Sequence, residues 1–242
     1  PVRLSIVDDR LVVVAHHIAV DGLSMAPLAR DVETALTARR AGLAPEFTPL
    51  SVDYADYRMW QREVLAEAAP AQLDFWRRTL AGMPDYLDLP HGTPTPDEPA
   101  LPVTFEIDAD TLTELRALAH RLGATVFVLV HAALAAVLAE ASGTTDIAVG
   151  TPVSGRTDPA LDDLVGMFVG TVVLRTPVDP TLTFEQFVGE VLTRDLDAFA
   201  HAAVPFEWVV DAVHPTRAVD SHPLFQVLLA VGSAHYPEFD LG

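Results

Sequence analysis

Five prolines fall between Pro90 and Pro102 (Pro90, Pro94, Pro96, Pro99 and Pro102). Proline has no backbone N–H to give a helix or a sheet ladder, so no regular element can run through this spacing. The stretch reads as an extended connector over residues 90–102, and the chain divides around it. Strand and helix patterns alternate over residues 1–89 and again over 103–242. The expected class is therefore α/β, in two lobes.

On the N-terminal side, Val2 to Val7 alternates, Asp8-Asp9 supplies a turn and Arg10 to Ala15 resumes as an apolar run. This is a hairpin whose second strand is expected to be central in a sheet. From Ser24 the period lengthens: Met25, Leu28, Val32 and Leu36 predict a helix to Arg40, stopped by Gly42. Ser51 to Leu65 and Pro70 to Leu80 read as two further helices, the second with proline in its first turn.

Beyond the connector, Val103 to Ile107 reads as a strand, and Asp108 caps a helix that ends at Gly123. Val126 to Ala141 is a buried helix, too short to span a bilayer. Ile147 to Val149 and Met167 to Val178 are strands. Thr183 and Gln186 form a capping box for a helix to about Ala202. Pro205 starts a short helix, and Leu224 to Val231 closes the chain's pattern as a strand.

Half of the 242 residues are hydrophobic and 20% are charged, which favours a packed core over disorder. Acidic residues outnumber basic ones 34 to 15, a net charge of −19. Such a surface repels phosphate backbones and anionic lipid, so no nucleic acid and no membrane is expected as a partner. Cysteine and lysine are both absent. Thiol nucleophiles, thiolate metal sites and lysine Schiff-base chemistry go with them. The chain starts Pro-Val-Arg without an initiator Met, which predicts a segment cut from a longer protein. With no signal-peptide pattern and no spanning stretch, a cytoplasmic location is expected.

The densest polar group is His16-His17-Ile18-Ala19-Val20-Asp21-Gly22, directly after an apolar strand and directly before a helix. Side chains there are held by rigid elements, which suits catalysis. Adjacent strand residues face opposite ways, so at most one of the two histidines looks into a given cleft. Imidazole can take or position a proton near neutral pH. A pair of core histidines with Asp21 as a helix-start residue remains an alternative reading. A metal site is disfavoured, because no H-x-x-x-H or H-E-x-x-H spacing occurs. Tyr54, Tyr57 and Trp60 at helical spacing read as core, Gly166 and Gly170 as sites of close backbone approach. His201, His214 and His222 read as surface residues.

The segment from His16 to Ser24 resembles the H-H-x-x-x-D-G motif of condensation domains from non-ribosomal peptide synthetases, members of the chloramphenicol acetyltransferase-like superfamily. Further segments agree in order. Val52 to Trp60 resembles the family's Y-x-D-[FY]-x-x-W block, and Val165 to Thr171 its G-x-F-V-N-T block. Val204-Pro205-Phe206-Glu207 and Arg217 through Gln226 resemble its P-F-E and R-x-x-x-x-P-L-F-Q blocks. Two departures stand out: Gly170 replaces asparagine, and Ala202-Ala203 replace Gln-Asp.

The resemblance implies a two-lobed chloramphenicol acetyltransferase-like fold, cut short on the N-terminal side and on the C-terminal side. Residues 1–89 would be what remains of the first lobe, and 103–242 most of the second. It implies amide-bond formation between an acyl or peptidyl thioester and an aminoacyl thioester. Both substrates ride on phosphopantetheine arms of upstream and downstream peptidyl carrier proteins, next to an adenylation domain, and the domain binds no cofactor itself. His17 would face the reaction, with His16 in a supporting place. Asp21 would hold the loop through an ion pair to an arginine in an absent upstream segment, and the Gly22 N–H would face the oxyanion. Phe168, Gly170, Thr171, Phe206 and Arg156 are the residues offered for channel or support, and Arg62, Arg77 and Arg78 for carrier docking. The competing readings are a stand-alone acyltransferase with a soluble acceptor and a non-catalytic condensation-like domain that recruits a partner. The isolated chain is expected to be inactive and only marginally folded.

Overall fold

The computed structural model describes residues 1–8, 10–90, 101–213 and 222–232. Most of the proline connector, His214 and Arg217 lie outside them. The described elements fall into two compact units, one built from Pro1–Ala69 with Val153–Gly170, the other from Pro70–Pro152 with Thr171–Val231.

In the first unit, β1 (Val2–Val7) and β2 (Arg10–Ala15) form the antiparallel hairpin in the expected register, with Val2 opposite Ala15 and Val7 opposite Arg10. Period-2 alternation puts Val2, Leu4, Ile6, Leu11, Val13 and Ala15 on one face. Leu4 and Ile6 are nevertheless 64% and 80% exposed. Among the described residues the hairpin is a two-stranded sheet, so β2 is an edge strand and not the central one its apolar run suggested.

Helix α1 (Met25–Arg40) ends where foreseen, because Gly42 adopts φ +72° and Leu43 N–H closes onto the Ala38 carbonyl at 2.9 Å. Helix α2 (Tyr54–Thr79) is one continuous element, not two. Pro70 lies inside it. Proline costs a helix one hydrogen bond and some strain, but the residues beyond keep the helical course and bury Trp76 and Leu80, each 2% exposed.

The second unit is organised around α4 (Val126–Ser142). Thr125 caps its first turn by accepting the Val128 N–H, and Gly143 at φ +72° ends it. Val128, Leu129, Ala132, Ala135 and Leu138 pack with Ile147 and Val149 of β3 (Asp146–Val153) and with Phe187, Val188 and Val191 of α5 (Phe184–Ala200). Each large apolar side chain buried this way contributes about 1.5–3 kcal/mol. The capping box of Thr183 and Gln186 starts α5 as expected. Helices α3 (Ala109–Arg121) and α6 (Phe206–Val213) also follow the sequence reading, with Asp108 accepting the Thr111 N–H.

The sheet runs in the order β4-β3-β5. Strand β4 (Gly170–Pro177) starts three residues later than foreseen, and β5 (Val227–Leu228) is only two residues long, parallel to β3. Arg175 on β4 clamps Asp146 on β3 with two bonds of 2.8 and 2.6 Å. Buried His131 on α4 sets Nδ1 3.0 Å from the Asp195 carboxylate of α5 and Nε2 3.4 Å from Thr176 of β4. The expected strand Val103 to Ile107 is absent. The segment has no ladder partner among the described residues, and Val103 is 88% exposed.

Candidate functional site

The polar motif forms two successive 3-10 turns between β2 and α1. His16 has extended backbone, and its Nδ1 accepts the Ile18 N–H at 3.1 Å, capping the turn His17–Ala19. Asp21 caps the next turn, Gly22–Ser24, by accepting the Ser24 N–H at 2.9 Å while its own N–H donates to Ser24 Oγ at 3.3 Å. Ser24 stands at the N-terminus of α1 but makes no side-chain cap for it, because its hydroxyl is used here instead.

That hydroxyl lies 2.8 Å from both Asp21 Oδ1 and the Gly166 carbonyl, its one proton serving either, and it accepts the Gly166 N–H at 3.1 Å. Asp21 Oδ2 accepts the Phe168 N–H at 3.0 Å. The loop and residues 166–168 are thus stitched together through side chains of one aspartate and one serine.

Arg156 completes the assembly. Its Nη2 donates to Asp21 Oδ1 at 3.1 Å and to Ser24 Oγ at 3.0 Å, and its Nη1 donates to the carbonyls of Leu161 and Leu164. The ion pair is dry, with 3% of the arginine side chain and 4% of the aspartate exposed. The guanidinium also lies 4.0 Å above the Phe168 ring. The arginine expected from an upstream segment is therefore present in this chain, 135 residues downstream of Asp21. Burial alone would raise the Asp21 pKa, but the bonds from Ser24, the Phe168 N–H and Arg156 outweigh it and hold the carboxyl below the usual aspartate value.

Helix α2 supports the same segment. Tyr54 donates its hydroxyl proton to the Met167 carbonyl at 2.8 Å and meets Phe168 edge-on at 5.2 Å. Tyr57 packs on Phe168 at 4.7 Å and is buried, while Trp60 is half exposed. The core reading thus holds for the tyrosines and not for Trp60. A Cβ on Gly166 would sit 2.4 Å from the Tyr54 ring, so this glycine does mark a close approach.

His17 stays exposed at the surface of this framework, its Nδ1 3.2 Å from Met167 Sδ. Gly22 is exposed too, and a Cβ there would meet nothing within 4 Å. The structure therefore brings His17, Asp21, Gly22, Arg156 and Phe168 together in one unit, with His16 turned to the backbone. Gly170 closes that unit's segment, its Cβ position 3.3 Å from Val153. Thr171 and Phe206 belong to the other unit, where both border a small depression with Trp76, His201 and Val204. His201 is half-buried there and stacks on Phe75 at 3.7 Å, unlike the surface histidine expected. Among the described residues no three His, Asp or Glu side chains converge to hold a metal ion, and no single helix is long and apolar enough to cross a membrane.

The model of the Condensation domain family matches residues 2–238. The chain belongs to the condensation-domain family. This condensation-domain chain is 44% identical to an isonitrile lipopeptide synthase of Mycobacterium tuberculosis over 98% of its length, and 40% identical to a dimodular nonribosomal peptide synthase of Bacillus subtilis over 91%. It spans 10% of each of those proteins. Among solved structures, the X-domain from teicoplanin biosynthesis superposes over the whole chain with a TM-score of 0.85 at 31% identity, and the chain covers 57% of it. A four-domain nonribosomal peptide synthetase matches over 91% of the chain with a TM-score of 0.78 at 26% identity, 17% of that protein being covered. The condensation fold, α/β and chloramphenicol acetyltransferase-like, is the one the ordered motifs implied, carried here by part of a domain.

Proposed function

We propose that this chain forms amide bonds in non-ribosomal peptide synthesis, joining a carrier-bound acyl or peptidyl thioester to a carrier-bound aminoacyl thioester. The observation that carries the proposal is the exposed imidazole of His17 on a loop braced by the buried Asp21–Arg156 pair. The acceptor's amine attacks the donor's thioester carbonyl. The C–N bond forms and the C–S bond breaks. The amine loses a proton, the donor arm leaves as a thiol, and the lengthened chain remains on the acceptor arm. His17 takes or holds the amine's proton, and the Gly22 N–H faces the oxyanion that develops. A thioester is already activated, so holding two arms in register supplies much of the rate. The phosphopantetheine belongs to the carriers, and the domain itself contributes only amino-acid side chains and backbone.

His16, in this reading, supports the loop. Residues 1–89 and 103–242 come from two lobes of the complete domain, although residues 153–170 pack with residues 1–69 and residues 70–89 with the other unit. Phe168 and Arg156 are supports, and Gly170, Thr171 and Phe206 are channel candidates. The partners are an upstream and a downstream carrier protein with a neighbouring adenylation domain, in the cytoplasm. Exposed Arg62 and Arg78 are the docking cations to test first, since Arg77 already pairs with Asp74 at 2.6 Å.

A second reading has one specific support. The X-domain from teicoplanin biosynthesis has also been solved in complex with OxyB, and that structure matches this chain with a TM-score of 0.83 at 31% identity. A domain that only binds a partner needs no competent histidine, whereas His17 is intact and exposed here. The test uses the complete synthetase, loaded donor and acceptor carriers, and intact-protein mass spectrometry. Transfer to the acceptor carrier is expected. Transfer only to a free amine or alcohol would establish a stand-alone acyltransferase, and no transfer to either would favour recruitment.

A further inference from the structure

Two neighbouring histidines use the same ring atom in opposite ways. His16 Nδ1 lies 3.1 Å from the Ile18 amide, which can only donate, so Nδ1 accepts and the proton of the neutral ring sits on Nε2. His17 Nδ1 lies 3.2 Å from Met167 Sδ, a thioether with no proton, which can only accept. Here Nδ1 must carry the hydrogen. We infer that Met167 is a positioning residue that holds neutral His17 as the Nδ1–H tautomer, leaving the Nε2 lone pair to face the acceptor amine. The inference rests on the reading of His17 as the residue facing the reaction.

The sulfur is not at this spot by chance of a loose loop. Both neighbours of Met167 are fixed by side chains of the motif, Gly166 through Ser24 and Phe168 through Asp21. The Met167 carbonyl is fixed by Tyr54 at 2.8 Å. The backbone on both sides of Met167 is therefore held in place, which limits where its thioether can reach. A thioether is a weak acceptor and does not compete as a base. It can bias the tautomer without drawing the proton away, and its flexible, polarizable side chain shields one edge of the ring.

Two replacements of Met167 separate this role from simple packing. Met167→Leu keeps the volume and loses the acceptor; Met167→Gln keeps the reach and offers an amide oxygen. In single-turnover transfer by the complete synthetase, the leucine variant is expected to lose about three- to tenfold in rate, the worth of one modest hydrogen bond. The glutamine variant is expected to stay closer to wild type. A purely packing role gives the reverse order, with leucine tolerated better than glutamine, and that order would overturn the inference.

Long-range proton–nitrogen NMR of the complete condensation domain, labelled in its histidines, reads the tautomers directly, with His16→Gln and His17→Gln supplying the assignments. The expected spectrum shows a protonated Nε2 for His16 and a protonated Nδ1 for His17, and Met167→Leu moves His17 toward the Nε2–H form. A wild-type His17 protonated at Nε2 contradicts the inference whatever the variants do. The two claims fail separately. If His17→Ala transfers at the wild-type rate, the catalytic reading falls while the tautomer stands; if His17→Ala is dead but leucine outperforms glutamine at position 167, only the role of Met167 falls.

Discussion

The Asp21 carboxylate has three kinds of donor around it: a hydroxyl and an amide from Ser24, the Phe168 amide, and the Arg156 guanidinium. Removing one partner of so dry a pair leaves the other charge buried, at a cost of about 3–5 kcal/mol. Asp21→Ala and Arg156→Ala are each expected to destabilise the protein by about that amount in urea unfolding. The double variant is expected to lose well under their sum, the mark of direct coupling. The pair also sets an acid limit. The folded pKa of Asp21 lies below its unfolded value, so on acidification the unfolded chain takes up this proton first, near pH 4. The stability the pair contributes is whole at neutral pH and is lost as pH falls below about 4. Comparing the pH dependence of the urea midpoint in wild type and Asp21→Asn checks this: the acid limb is expected to flatten in the variant.

What the sequence could and could not reveal divides at the elements along the same physical line. Caps and stops are local, so Asp108, Thr183, Gly42 and Gly123 are legible from neighbours within four residues, while Thr125 and Gly143 do the same work unannounced at the ends of α4. Long-range pairing is not local. Nothing near Asp21 named Arg156, 135 positions away. Strand β4 begins at Gly170 because the amides of Gly166 and Phe168 and the carbonyls of Gly166 and Met167 are already taken by side chains of Ser24, Asp21 and Tyr54. An apolar run that looked like strand is instead a stitched loop. Val103 to Ile107 alternates as a strand should, but alternation makes no ladder without a neighbour. The polar motif itself was legible, since its order along the chain carried it; the thioether contact was not, because methionine has no motif signal of its own. At this scale Gly166→Ala is the informative change. Its methyl would press into the Tyr54 ring, and a loss of about 1–3 kcal/mol is expected. Chemical denaturation measures that loss, and the crystal structure of the variant should show Met167 displaced.

As a whole molecule, the chain combines a net charge of −19 with an apolar hairpin face in which Ile6 is 80% exposed. Contiguous exposed apolar surface on a strand pair invites association. The chain spans just over half of the X-domain structure it superposes on. The isolated chain is expected to self-associate with rising salt, as screening removes the repulsion between its negative surfaces. Light scattering of wild type beside Leu4→Lys/Ile6→Lys measures this, and the double variant should stay dispersed. The central claim concerns chemistry and is tested most directly in the complete synthetase. His17 is exposed, so His17→Ala leaves the Asp21–Arg156 framework intact and isolates the imidazole. Single-turnover transfer from a loaded donor carrier to a loaded acceptor carrier is expected to slow by about a hundredfold or more in His17→Ala, with both carriers still fully loaded. Transfer at the wild-type rate in that variant would contradict the account.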